Sequence, residues 1–199
     1  MRVKPEVRAE HRRALLEAAA RSFATDGFDR AGIDAISVQA GLAKGTVYNH
    51  FPSKRAIFEA VLREACALAA GSAEAVPEHA GTDERLEAFV AGNVAWARER
   101  PELAVLVARE MLGGSAETRR LIVEASAPCI EKVATVLERA RREGELSAEG
   151  SPADLALGFI MLANGLLLQA TATNWPSVER LAETSARLFL HGAAGAAGA

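Results

Sequence analysis

Residues 33–51 read IDAISVQAGLAKGTVYNHF, and this stretch decides the fold. Ile33, Ile36 and Ala40 recur at helical spacing, so a short helix with one apolar face is expected. Gly41 ends it, because a tight turn after a helix commonly requires positive φ and glycine has no Cβ to clash there. Leu42 is placed to fold back on Ile36 and cover the turn. A second short helix, from about Lys44 to His50, turns Val47 inward. Two short helices joined by a glycine-containing turn form the helix-turn-helix unit that enters DNA grooves. The second helix carries Lys44, Gly45, Thr46, Tyr48, Asn49 and His50 on its other faces. Hydrogen-bond donors, a cation and a small residue suit a helix lying in the major groove. A plain helical hairpin inside a bundle has the same periodicity, so spacing alone leaves both readings open.

Working outward, a first helix from about Val7 to Thr25 directs Leu15, Leu16, Ala19 and Phe23 to a core, and Gly27 is expected to end it. The run LLEAAARSFATDGF with Phe23 and Gly27, the turn Ala40-Gly41-Leu42-Ala43-Lys44-Gly45, the segment Thr46-Val47-Tyr48-Asn49-His50-Phe51 and the linker Pro52-Ser53-Lys54 follow at fixed spacing. With these residues, Arg8 to about Leu62 resembles the amino-terminal domain of the TetR family of bacterial transcriptional regulators. Three positions depart from the family pattern. Gly32 stands where Thr commonly caps the second helix, and Ala43 where Ser commonly caps the third. His50 stands where Tyr is frequent. Gly is a tolerable cap, whereas Ala leaves N–H groups unsatisfied at a typical cost of about 1 kcal/mol.

The rest of the chain fits an all-α protein. Its 199 residues are half apolar, with few aromatics. Net charge is −3, so the whole chain is not a basic nucleic-acid binder. Charge is uneven, however: residues 1–63 hold 11 Lys+Arg against 7 Asp+Glu, and residues 64–199 hold 12 against 19. That asymmetry draws DNA to one end and repels it from the other. Arg2, Lys4, Arg8, Arg12 and Arg13 form a basic arm that is either a phosphate contact or a solvated face. The segment MRVKPEVRAEHRR lacks the apolar run of a signal peptide, and a cytoplasmic location is expected. Cys66 and Cys129 match no metal or redox spacing. His11, His50, His79 and His191 stand apart from ligand-spaced partners, so no metal and no cofactor are expected. No nucleophile triad, carboxylate pair or phosphate loop is present, and the chain is not read as an enzyme.

A fourth helix begins after Ser53, a good N-cap, and buries Ile57, Phe58, Val61 and Leu62. Lys54 lies in its first turn, where a cation opposes the helix dipole and an arriving phosphate would relieve the conflict. Residues 72–81 read as a loop. Helices follow from about Thr82 to Arg100, from Pro101 to Leu112, and from Glu117 to Glu143, the last interrupted in pattern by Pro128. Two more run from Pro152 to Thr173 and from Pro176 to His191. The helix from Asp154 is apolar on all sides, which means cover on all sides. Asn164, Gln169 and its small residues argue against a membrane span. Gly158, Gly165 and Ala172 recur every seven residues, a stripe that lets two helices approach, so a dimer interface is expected there.

The resemblance implies about nine helices. A three-helix DNA-binding domain would occupy residues 9–69, with its helix-turn-helix at 32–51. A helical effector-binding and dimerisation domain would occupy 72–191, and a tail at 192–199 is expected to be disordered. It implies a homodimer formed by the last two helices, a palindromic operator in double-stranded DNA, and release by a small-molecule effector. The commonest role is repressor; an activator, or a carrier on the same fold that does not bind DNA, are the alternatives. By position, Lys44, Tyr48, His50 and Lys54 are carried over as phosphate contacts, and Thr46 and Asn49 as base contacts. Candidate pocket residues are Phe89, Asn93, Trp96, Arg109, Met111, Phe159, Met161 and Asn164, which combine apolar bulk with isolated polar groups. Each fits a core position as well. Arg109 either meets an anionic effector or pairs with Glu110 or Glu102.

Overall fold

A computed structural model of the chain describes residues 4–72, 80–146, 150–172 and 178–193, with residues 72, 166–172, 178, 179, 181, 182 and 191–193 as backbone only. The described residues are helical, with no strand. There are ten described helices, one more than the expected nine or so. They are α1 (Pro5–Arg30), α2 (Ile33–Gln39), α3 (Lys44–His50), α4 (Lys54–Ser72), α5 (Thr82–Glu99), α6 (Pro101–Gly113), α7 (Ala116–Ala125), α8 (Ala127–Arg142), α9 (Pro152–Ala172) and α10 (Val178–Ala193). The extra element arises because the expected helix from Glu117 to Glu143 is two. Pro128 cannot donate a backbone hydrogen bond, so it occupies the first turn of a new helix rather than the middle of an old one.

Two compact units result. One joins the chain up to Ala65 with Glu102–Ile122; the other joins Cys66–Pro101 with the chain from Val123 onward. The boundary falls inside α4.

The first unit is built on α1. Pro5 sits in its first turn, where a missing N–H costs nothing. Leu15, Leu16 and Phe23 are buried, as their spacing requires. Gly27 does not end the helix but kinks it, at φ 80° and ψ 168°, and one further turn runs to Arg30. That extra turn carries Phe28 into an aromatic cluster: its ring centre lies 4.9 Å from that of Phe58, which lies 5.0 Å from Phe23. Phe23 and Phe58 are buried and Phe28 is half-buried, and each fully buried ring contributes roughly 1.5–3 kcal/mol. Ile36, Val47, Phe51, Ile57, Val61 and Leu62 complete the core.

Arg109 of α6 belongs to the same unit. Its guanidinium donates to the carbonyls of Phe23 at 2.6 Å and Ala24 at 3.1 Å, and pairs with Glu110. Residues before the Gly27 kink have carbonyls that the helix cannot all use, and a cation near a helix C-terminus is also favoured by the dipole.

In the second unit α5, α8, α9 and α10 pack around Leu86, Phe89, Val90, Val133, Leu137, Ala156, Phe159 and Ala186. Phe159 is the centre, with ring centres 5.8 Å from Phe89 and 5.1 Å from Phe189. Among the described residues no helix is long and apolar enough to cross a membrane.

Candidate nucleic-acid interface

The geometry of α2 and α3 follows from their turn. Gly41 has φ 67°. Its N–H donates to the carbonyl of Val38, and that of Leu42 to Ser37, both at 3.0 Å. These two bonds make a Schellman closure, which satisfies orphan carbonyls at the end of α2 and needs the left-handed backbone that Gly41 supplies. Ser37 Oγ adds a bond to the carbonyl of Asp34 at 2.8 Å. Helix α3 then starts at Ala43 with no side-chain cap, and its Thr46 N–H bonds the Ala43 carbonyl at 2.8 Å.

Helix α3 has seven residues and a single buried side chain, Val47. Lys44, Gly45, Tyr48 and Asn49 are exposed, and Thr46 and His50 are partly so. Tyr48 keeps 49% of its surface in solvent, unusual for the only tyrosine of the chain. Lys44 Nζ lies 2.7 Å from Oδ1 of Asp34, and this carboxylate holds the ammonium above its ordinary range, chiefly through their hydrogen bond. His50 is pushed below its usual value, first by burial and then by Arg8, His11 and Arg12.

Lys54 is placed differently from the other candidates. Its Nζ donates to the carbonyls of Asp29 at 3.0 Å and Ala31 at 3.1 Å, and lies 4.7 Å from the centre of the Phe28 ring. The ammonium thus closes the end of α1. Ser53 does cap α4, since its Oγ accepts from the Ala56 N–H at 3.1 Å. Sequence reasoning missed the Asp34 carboxylate beside Lys44. Its place in the first turn of α2 is visible in the sequence, but its approach to α3 depends on the turn.

The candidate pocket residues are divided between the two units. Arg109 and Met111 belong to the first unit, where Arg109 is engaged by α1. In the second unit, Phe89 and Phe159 are mutually packed core residues, and Met161 is exposed. Asn93 is buried and donates from Nδ2 to the Phe89 carbonyl at 2.9 Å. Trp96 is buried with no hydrogen-bond partner for its indole Nε1. Asn164 is partly buried.

Gly158 and Gly165 are exposed on α9, and the side chain of Ala172 lies outside the described residues. The tail from 194 is also outside them. Burial pushes the Cys129 thiol up to about 11, so it stays protonated at neutral pH and is a poor nucleophile. Among the described residues no cluster of three His, Cys, Asp or Glu side chains could hold a metal ion.

Comparison with known proteins places this geometry. Residues 15–61 match the family model described as bacterial regulatory proteins, tetR family. An HTH-type transcriptional repressor of Mycobacterium tuberculosis, Rv1474c, is 36% identical over 64 residues, which are 30% of this chain and 34% of that protein. The match therefore spans about a third of that relative's length. The nucleoid occlusion factor SlmA of a Marinomonas species is 27% identical over 159 residues, 79% of this chain and 78% of that one. Among solved structures, the transcriptional regulator FadR of Bacillus subtilis, in complex with stearoyl-CoA, superposes with a TM-score of 0.79 at 19% identity, covering 90% of this chain and 98% of that one. That likeness shows a common fold. Residues 15–61 are thus similar to the helix-turn-helix domain of the tetR family of bacterial regulatory proteins, and the likeness beyond them is one of fold.

Proposed function

We propose that the chain is a DNA-binding transcriptional regulator of the cytoplasm, most simply a repressor, that reads a palindromic operator as a homodimer and leaves it when a small molecule binds. The observation that carries this reading is the outward face of α3. It keeps Lys44, Tyr48 and Asn49 in solvent while Val47 alone anchors the helix. In this reading Lys44, Tyr48 and His50 meet phosphates, while Thr46 and Asn49 meet base edges. The pinned ammonium of Lys54 contacts a phosphate only if it leaves the α1 carbonyls.

The dimer is supported by α9. Gly158, Met161, Leu162 and Gly165 are exposed, and the last three lie three, four and seven residues after the first, so they form an exposed apolar stripe among the described residues. A Cβ added at either glycine meets no atom within 4 Å. A second copy of α9 and α10 covers that stripe, and the twofold axis then sets two α3 helices on successive half-sites, about 34–36 Å apart or a multiple of that. The effector site falls to the second unit, where Trp96 offers an unused buried donor beside Phe89 and Asn93 on α5. By linkage, an effector that releases DNA binds the DNA-free form better. No step of this function is catalytic.

Selection of duplexes from a random pool with purified protein tests the reading. Recovery of a palindrome is expected, and a pool that stays random after repeated selection overturns it. Replacing Asn49 by Ala is expected to cost roughly 1–3 kcal/mol at one base position. Gly158→Leu with Gly165→Leu is expected to shift the chain to monomer in sedimentation; an unchanged mass would place the interface elsewhere.

A further inference from the structure

The beginning of α1 carries cations that the α3 face does not use. Arg8, His11 and Arg12 are three and four residues apart, so they share one face of the helix. His50, the last residue of α3, meets that face. The rings of His11 and His50 stand edge to face with centres 6.1 Å apart, and the Arg12 guanidinium lies 5.5 Å from the centre of the Phe51 ring. Among the described residues one carboxylate reaches the group: Glu64 of α4, 4.0 Å from Arg12. That pair is largely exposed and contributes little. Four side chains able to carry positive charge thus gather beside the end of α3 with one weak counter-charge. Burial first, and then this crowding, disfavours the imidazolium form of His50.

We propose that Arg8, His11, Arg12 and His50 form a seat for one phosphodiester group of duplex DNA, and that the seat takes up a proton as the phosphate arrives. This rests on the DNA-binding reading and extends it from α3 to α1. The phosphate oxygens accept from the two guanidinium groups, and their charge reverses the repulsion at the imidazoles. The His50 imidazole, whose protonation is disfavoured by burial and by these cations in the free protein, then draws a proton from the buffer, and duplex binding becomes linked to pH. Acidification strengthens DNA binding, with a slope of log affinity against pH approaching about −1 as His50 changes state. The C-terminal position of His50 in α3 assists, since the helix dipole favours the imidazolium there.

The test uses the full chain and a mixed-sequence duplex of about 30 base pairs, because phosphate contacts are independent of sequence. Affinity is measured at constant ionic strength between about pH 8 and about pH 6, the range in which imidazole titrates. A rise of roughly five- to thirtyfold on acidification is expected, removed in the double variant His11→Gln/His50→Gln. Thermal melts at the upper pH establish that this variant is folded. Arg8→Ala is expected to reduce the salt slope by about 1. Adding duplex at neutral pH is expected to move the carbon-bound ring resonances of His50 to their protonated positions. Duplex binding that is flat in pH, or a pH slope that survives in the double variant, overturns the seat. Absence of any duplex binding across the range removes the DNA-binding reading itself and the seat with it.

Discussion

Two lysines open consecutive helices of the first unit, and the chain treats them in opposite ways. Lys44 begins α3 and Lys54 begins α4, each a cation at the wrong end of a helix dipole. Lys44 answers an exposed carboxylate, Asp34, and both side chains keep more than half their surface in water. Lys54 answers two backbone carbonyls and an aromatic ring at the end of α1. An exposed ion pair can be exchanged for another anion at small cost. Carbonyls with a fixed cation cannot lose it so easily, because they would be left short of donors. The comparison separates a side chain kept available for a partner from one used to hold the unit together. The helix starts repeat the contrast, since Ser53 caps α4 through its hydroxyl and Ala43 leaves α3 uncapped.

The largest effect that sharpens this contrast is expected from Lys54→Ala. Losing two charge-assisted bonds and a ring contact, discounted for partial exposure, should destabilise the protein by roughly 1–2 kcal/mol. Lys44→Ala should leave the thermal midpoint in place and instead reduce the salt slope of DNA binding by about 1. The reverse pattern in denaturation and binding titrations would break the distinction. Next in size, Ser53→Ala should cost about 1 kcal/mol in urea denaturation. Ala43→Ser should gain no more than that, because it supplies an acceptor to the unsatisfied N–H groups at the start of α3. Equal effects of opposite sign would show that the two starts differ only in their caps.

A smaller effect is expected from Asp34→Asn. Freeing Lys44 from its carboxylate should tighten binding to arbitrary duplex a few-fold and narrow the gap between operator and non-operator DNA. Weaker binding would mean that Asp34 positions Lys44 rather than competing for it. The smallest concerns His50 without DNA. Its folded-state value lies below the unfolded one, so the unfolded chain binds more protons as pH falls. Stability present above about pH 6.5 is then lost progressively below it. Urea midpoints that do not decline more in the parent protein than in His50→Gln would contradict this.

Much of the first unit was legible because its turn chemistry is local. Gly41 must adopt positive φ, and Val47 is the one residue of α3 at the right phase to face a core. The start of α4 was legible from Ser53 alone. The role of Lys54 was not, because its partners belong to a turn of α1 beyond Gly27 that sequence reading had ended too early. A glycine at positive φ permits a kink as readily as a stop, and the packing of the Phe28 ring against Phe58 favours the kink. For Arg109, spacing left an anionic effector and a pair with Glu110 or Glu102 both open; the Glu110 pair is present, and the bonds to Phe23 and Ala24 span more than eighty residues and leave no trace in spacing. The split of α7 from α8 was half visible: Pro128 marked the place, and helical periodicity on both sides concealed the break.

The bond from Arg109 to the carbonyls of α1 bears on how the molecule is made. The reading helices are synthesised before α6 and the start of α7, which belong to the same compact unit. At about 5–20 residues per second, the nascent helix-turn-helix waits several seconds for the arginine that finishes it. A nascent chain stalled before Glu102 should therefore expose the Gly27 bend to proteases that spare the released protein.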